Sequence, residues 1–287
     1  MKKLFIGIMI LGAALLGGWS SFFPCAEAAP EKDDFPGVRA KVDSILDDGT
    51  EYAVFLAYPG ESGEAFLYNS HPMRSASMIK VFIMAAAMEK VAAGEMSLDD
   101  EFVLGYEDKV GGSGILTGYA DGSVLSFRTL LDLMIAESDN TATNMIIQRM
   151  GMGTINDYIQ RKGYKDTILQ REMMDMEAIA AGRENYSSVR DLGDIFVRIY
   201  HHQCVDPMRD EIMLEFLKGQ TDTDCFPAAL PGRVIAHKTG ALPGLFDDGG
   251  IIYGGARDTV LVIMTEDFTG EDIVTERMKS FAEAVAQ

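Results

Sequence analysis

Apolar positions first recur at helical spacing, with Val38, Val42, Ile45 and Leu46 on one side of a short helix over residues 35–47. The run from Glu51 to Tyr58 is strand-like, Pro59-Gly60-Glu61-Ser62-Gly63 makes a turn, and residues 64–69 continue as a second strand. From about residue 76 to 220 the pattern is almost wholly helical. Ser126 caps one helix that runs to about Ala136, and another extends from about Thr141 to Met150. Ser187 or Ser188 caps a third that ends near His202. Strand character returns at 233–239, 249–254 and 259–265, with glycine-rich turns between. A last helix carries Ile273, Arg277, Phe281 and Val285 at intervals of four.

Strands at both ends of a long helical middle predict an α/β (α+β) fold. One antiparallel sheet is built from the chain ends, terminal helices cover one of its faces, and an all-helical subdomain spans about 76–220. A cleft between the two parts is the natural place for a site.

Composition narrows the function classes. With 47% hydrophobic and 24% charged residues among 287, the chain is neither disordered, collagenous nor a coiled-coil rod. Its 25 Lys and Arg against 44 Asp and Glu give a net charge of −19, which repels a phosphate backbone and excludes nucleic acid as a partner. Three cysteines without a Cys-x-x-Cys exclude a zinc ribbon or a thioredoxin-type motif.

Lys2 and Lys3, the apolar run from Leu4 to Leu16, and Ala26-Glu27-Ala28 read as a secretory signal peptide over residues 1–29, so an exported protein is expected. An uncleaved membrane anchor and a lipid-modified Cys25 are the alternatives. The mature domain, 30–287, then keeps Cys204 and Cys225, either bridged or as two buried thiols. A monomer is expected.

The chemistry is first a matter of absences. There is no Gly-x-Ser-x-Gly, His-Glu-x-x-His, Gly-x-Gly-x-x-Gly or phosphate-loop Gly-Lys, and no clustering of metal ligands, so no metal or cofactor is implied. Three short motifs remain. Ser77-Met78-Ile79-Lys80 opens the first long apolar helix, Ser138-Asp139-Asn140 lies at a junction of two helices, and Lys238-Thr239-Gly240 ends a strand. Each alone is weak, and their order and contexts together are specific.

On a helix, positions i and i+3 share a face, so Lys80 is expected to reach the Ser77 hydroxyl. A neutral amine there takes the serine proton, and burial beside a second cation, Lys238, would make it neutral. The helix N-terminus offers N–H groups to a developing oxyanion. Lys238 and Thr239 would bind a substrate carboxylate, and Gly240 would let substrate lie along the strand as an added edge. Ser138 would pass a proton to a leaving nitrogen, while Asn140 would bind a substrate amide or orient Lys80.

With these three motifs in this order over nearly the whole mature chain, the sequence resembles the penicillin-recognising serine hydrolases, the class A β-lactamases above all. The resemblance implies a β-lactamase/transpeptidase-like fold and acylation of Ser77 by a β-lactam or by a D-Ala-D-Ala-like carbonyl of a peptidoglycan stem peptide. It also implies an oxyanion hole from the N–H groups of Ser77 and Ala241. Hydrolysis of β-lactams is the leading expectation. A D-Ala-D-Ala carboxypeptidase of the cell wall and a β-lactam-binding module without turnover are the alternatives.

Two departures bear on activity. The family carries Arg-x-Glu-x-x-x-Asn, whose Glu activates the deacylating water. Aligned on Arg171, the Glu position here is Met173 and the Asn position is Glu177. A thioether takes no proton from water. Either Glu177, Glu172 or Asp175 acts from a shifted position, or these acids are loop charges and deacylation is slow. After the third motif, where the family usually has an Arg for the substrate carboxylate, this chain has Phe246-Asp247-Asp248-Gly249. Those acids are expected to be turned away or paired with Arg233 or Arg257. Gly111-Gly112-Ser113-Gly114 reads either as a cleft rim or as a simple turn.

Overall fold

The structure, a computed structural model, describes residues 35–61, 64–268 and 270–286. The expected signal peptide and Cys25 lie outside the described residues.

Strands β1 (Glu51–Ala57) and β2 (Phe66–Tyr68) follow helix α1 (Val38–Ile45). Two short ribbons come from the middle of the chain: β3 (Met73–Arg74) pairs with β6 (Tyr186–Ser187), and β4 (Glu101–Val103) with β5 (Val124–Ser126). The C-terminal part contributes β7 (Val234–Leu242), β8 (Leu245–Tyr253) and β9 (Thr259–Glu266). The main sheet is antiparallel in the order β2-β1-β9-β8-β7. The two chain ends therefore meet at its centre, where Glu51 faces Glu266 and Ala57 faces Val260. Strand β7 lies at an outer edge.

Period-two alternation sends successive side chains of the central strands into different cores. Ala53, Phe55 and Ala57 of β1 join Val260, Val262 and Met264 of β9 against the helical subdomain. Tyr52, Val54 and Leu56 join Leu261 and Ile263 under α1 and α10 (Glu271–Val285). The terminal helices thus cover one face, as the sequence predicts.

The helical part contains α2 (Lys80–Ala92), α3 (Phe127–Ala136), α4 (Asn140–Met150), α5 (Met152–Lys162), α6 (Met176–Ala180), α7 (Val189–Tyr200), α8 (Pro207–Lys218) and α9 (Phe226–Ala229). Residues Lys80 to Met88 are buried all round, the signature of a central helix. Ser126 accepts from the Thr129 N–H to cap α3, and Ser188, rather than Ser187, accepts from the Asp191 N–H to cap α7.

Two expectations need correction. The ribbons β3–β6 and β4–β5 interrupt the wholly helical middle, and runs of two or three residues are too short to leave a period in sequence. The buried stripe of α10 is Val274, Met278, Phe281, Ala282 and Val285, whereas Ile273 is 60% exposed. Arg277 explains the offset. Its guanidinium pairs with Asp48 and donates to the Ile45 carbonyl, so that side of the helix runs along the edge of α1 rather than into the core. Cys204 and Cys225 are separate, buried, free thiols.

Candidate active site

Ser77 is half-buried in the 3-10 turn Ala76–Ile79 that leads into α2. Ala76, just before it, holds φ at +41°, a left-handed conformation that costs a residue with a Cβ some strain. Lys80, the first residue of α2, is fully buried. Its amine donates to the Ser138 carbonyl at 2.7 Å, to Ser138 Oγ at 3.1 Å and to Asn140 Oδ1 at 2.9 Å. The i, i+3 spacing predicts an amine turned to Ser77. Its hydrogen bonds run instead to the second motif, because α4 starts directly opposite α2. Burial pushes the Lys80 amine well below its usual range, the Lys238 charge pushes it further down, and Asp139 opposes both.

Ser138 also sits in the left-handed region, at φ +50°. Asp139 holds this junction in place. One carboxylate oxygen caps α4 by accepting from the Ala142 N–H at 2.9 Å, and the other accepts from Ile115 and Leu116 at 2.7 and 2.8 Å. The chain just after 111–114 is thereby locked onto the motif, and the Asn140 N–H, which donates to the Ser113 carbonyl at 3.0 Å, ties the segment itself. Asn140 strengthens the lock by donating to the Gly111 carbonyl at 3.0 Å. Gly114, at φ +115°, has no room for a side chain, since a Cβ would stand 2.3 Å from the Asp139 carboxyl carbon.

The third motif lies on the edge strand β7. Lys238 is fully buried and donates to the Thr239 carbonyl at 2.8 Å. Burial brings its amine down to about 8 against the opposing charges of Asp222 and Asp248. Thr239 and Gly240 are buried and Ala241 is exposed. A Cβ on Gly240 would come within 3.1 Å of Met78 Cγ, 3.2 Å of Ala76 Cβ and 3.2 Å of the Ser75 carbonyl. The missing side chain therefore lets β7 close on the serine turn.

The acids after this motif do not pair with Arg233 or Arg257. Asp248 is buried against His237, whose Nδ1 lies 2.8 Å from Oδ1, and it also accepts from the Phe226 N–H. Asp247 is buried too. Its Oδ1 accepts from the Thr265 N–H, while Oδ2 has no partner among the described residues. Burial raises the Asp247 carboxyl well above the ordinary range. Arg233 donates to the Gly254 carbonyl, and Arg257 meets Glu61 and the ring of Tyr58.

The loop between α5 and β6 is drawn shut by Arg171, which binds Glu184 from within the protein. Asn144, a residue that motif reading passes over, fixes the next part. It donates to the Met173 carbonyl at 3.0 Å and accepts from the Met173 N–H at 2.8 Å. The Met173 side chain packs into the core. Glu172 accepts from Gln148, Asp175 caps α6 through the Ala178 N–H, and Glu177 is exposed on α6. None of the three is among the charges that act on Lys80. The signal for Asn144 was its place on α4, one helical turn after Asn140 and on the same face.

Residues 38–287 match the model of a family described as the beta-lactamase enzyme family. The chain belongs to that family. A β-lactamase from Sphaerobacter thermophilus is 30% identical, with 88% of this chain and 97% of that one covered at a TM-score of 0.80. PBP-A is 23% identical over 86% of this chain and 93% of its own, TM-score 0.78. An ancestral class A β-lactamase is 19% identical over 87% and 97%, TM-score 0.79. The latter two likenesses show the fold. A search of curated proteins gave no match.

Proposed function

We propose that the protein is a serine acyl-hydrolase that opens β-lactam amide bonds through an ester on Ser77 and releases the product slowly. One observation carries this reading above all. The buried Lys80 amine, depressed by burial and by Lys238, touches both Ser138 and Asn140. A neutral amine at that point takes the Ser77 proton as the hydroxyl attacks the carbonyl. The N–H groups of Ser77 and Ala241 hold the oxyanion. Ser138, in contact with the amine, passes the proton to the leaving nitrogen, and Lys238 with Thr239 binds the substrate carboxylate. The family match supports β-lactams as the substrate class.

Slow release follows from Met173, whose main chain is fixed by Asn144 and which offers no base for water. The same observation favours a second reading, in which the physiological acyl donor is a D-Ala-D-Ala stem peptide. Export to the compartment where such peptides occur is supported by the N-terminal pattern of Lys2, Lys3 and the apolar run behind them.

The test is intact-protein mass against time after mixing with penicillin G. A mass gain on Ser77 that persists for hours, and is absent from Ser77→Ala, is the expected result. A gain that vanishes as the drug is consumed would show brisk turnover and a working water base elsewhere. No gain at all, or a gain on another residue, overturns the proposal.

A further inference from the structure

The ladder between β8 and β9 runs from Ile252–Thr259 to Asp248–Ile263, although β8 reaches back to Leu245 and β9 on to Glu266. In that last stretch β8 stays with β7, pairing Asp247 with Gly240, Phe246 with Ala241 and Leu245 with Leu242. Strand β9 stays with β1, pairing Met264 with Ala53, Thr265 with Tyr52 and Glu266 with Glu51. The sheet is split here. Main-chain groups left buried by a broken ladder need partners, and two side chains supply them. The Thr265 N–H donates to Asp247 Oδ1 at 3.0 Å. The Phe246 N–H donates to Thr265 Oγ1 at 3.1 Å, and the Thr265 hydroxyl donates back to the Phe246 carbonyl at 2.7 Å. Asp247 and Thr265 are both fully buried.

The two sides of the split lead to the two halves of the oxyanion hole. On one side Phe246 lies opposite Ala241 across β7 and β8. On the other, Glu266 follows Thr265 and accepts from the Arg74 N–H at 3.1 Å and from Arg74 Nε at 2.8 Å. Arg74 leads directly into the turn that carries Ser77, which is closed by the Met78 N–H donating to the Ser75 carbonyl at 2.8 Å. The residues that bind the substrate carboxylate stand elsewhere. Lys238 pairs with Gly249, which pairs with Val262, and Thr239 pairs with Asp248, which pairs with Ile263, so both lie where the ladder is intact.

We propose that Asp247 and Thr265 are positioning residues for acylation, whose hydrogen bonds across the split hold the Ala241 N–H in register with the Ser77 N–H. The inference rests on acylation of Ser77 as argued above. Neither residue touches the substrate. Donors to a developing oxyanion act only if they are placed beforehand, and a misplacement of about 1 Å costs on the order of 10²-fold. Loosening the split should therefore slow the chemical step and spare substrate binding, since the oxyanion forms only in the transition state.

The experiment follows acylation by penicillin G with quenched intact mass over a range of drug concentrations, which separates the saturating rate from the half-saturating concentration. Thr265→Val removes the hydroxyl bridge and Asp247→Ala the carboxyl bridge, and each leaves the other in place to hold the fold. In both, the saturating rate should fall about tenfold or more, part of the roughly 10²-fold or more that a lost oxyanion donor costs, while the half-saturating concentration stays within about twofold. Thr265→Ser and Asp247→Asn, which keep the hydroxyl and the acceptor oxygen, should hold the parent rate. The parent rate in Thr265→Val or Asp247→Ala, a loss carried by the half-saturating concentration, or a conservative variant as slow as its partner overturns the positioning role and leaves Ser77 acylation standing. No adduct in the parent overturns the acylation reading and this inference with it.

Discussion

Asn144 holds Met173 by both ends of its side-chain amide, donating to the carbonyl at 3.0 Å and accepting from the N–H at 2.8 Å. The main chain at this position is therefore fixed whatever side chain it carries. The chemistry available at this position is a matter of the side chain carried there rather than of loop shape.

Replacing Met173 with Glu should shorten the lifetime of the acyl-enzyme by about 10²-fold or more, the range for a positioned general base. Glu177→Gln, by contrast, should leave that lifetime unchanged. Both are read by the decay of the mass adduct after excess penicillin is removed. A lengthened lifetime in Glu177→Gln would make that exposed acid the base after all.

Acylation should show a bell-shaped pH dependence. Neutral Lys80 is the active form, so the rate rises with pH through a midpoint far below that of an ordinary lysine. Lys238 must keep its charge to bind the carboxylate, so the rate falls as pH rises through about 8. In Lys238→Arg the alkaline limb should move up by more than a unit, because arginine does not titrate in this range. An alkaline limb that stays put would free Lys238 of that role.

Asp247 should make the fold less stable as the solution becomes more basic. Its folded-state pKa lies above the ordinary 3.8, so from about pH 4 upward the folded protein retains a proton that the unfolded chain has released. Stability from this group is complete below that pH and is lost as pH rises toward the raised value. Asp247→Asn does not titrate. Its stability relative to the parent, measured by urea unfolding, should improve as pH rises from about 4 toward the raised value and level off beyond it. A difference that is flat with pH would mean that Asp247 is ionised in its buried position.

Gly114→Ala should cost about 3 kcal/mol or more and abolish labelling of Ser77, since backbone strain and a collision with Asp139 act together. Thermal unfolding and penicillin labelling measure the two effects. An alanine tolerated at this site would show that the 111–114 segment can move away from the second motif.

Lys80, Ser138, Asn140 and Lys238 could be picked out in sequence because each lies in a short motif, and the sheet could be drawn because its central strands β1 and β9 are apolar runs. What escaped notice depends on contacts between distant segments. The double use of the Asp139 carboxylate requires the 111–116 segment to fold back onto it, and no spacing records that. The contact of Gly240 with Ala76 and Met78 joins two motifs that are remote in the chain. Asp247 and Asp248 looked like liabilities in need of an arginine, yet a backbone N–H and a histidine stabilise them instead. The face of α10 was misjudged because Arg277 binds Asp48 and the Ile45 carbonyl from the far end of the chain.

Burying Lys80 and Lys238 also sets how an anionic substrate arrives. The one charge that the mechanism keeps there, on Lys238, lies inside a molecule whose net charge is −19, so at long range an anion meets repulsion and feels that lysine only once it reaches the site. Dissolved salt screens the outer repulsion within about 10 Å at 0.1 M and reaches the buried amine far less. Encounter with anionic drugs should therefore quicken as ionic strength increases, the reverse of an enzyme that draws its substrate in from afar.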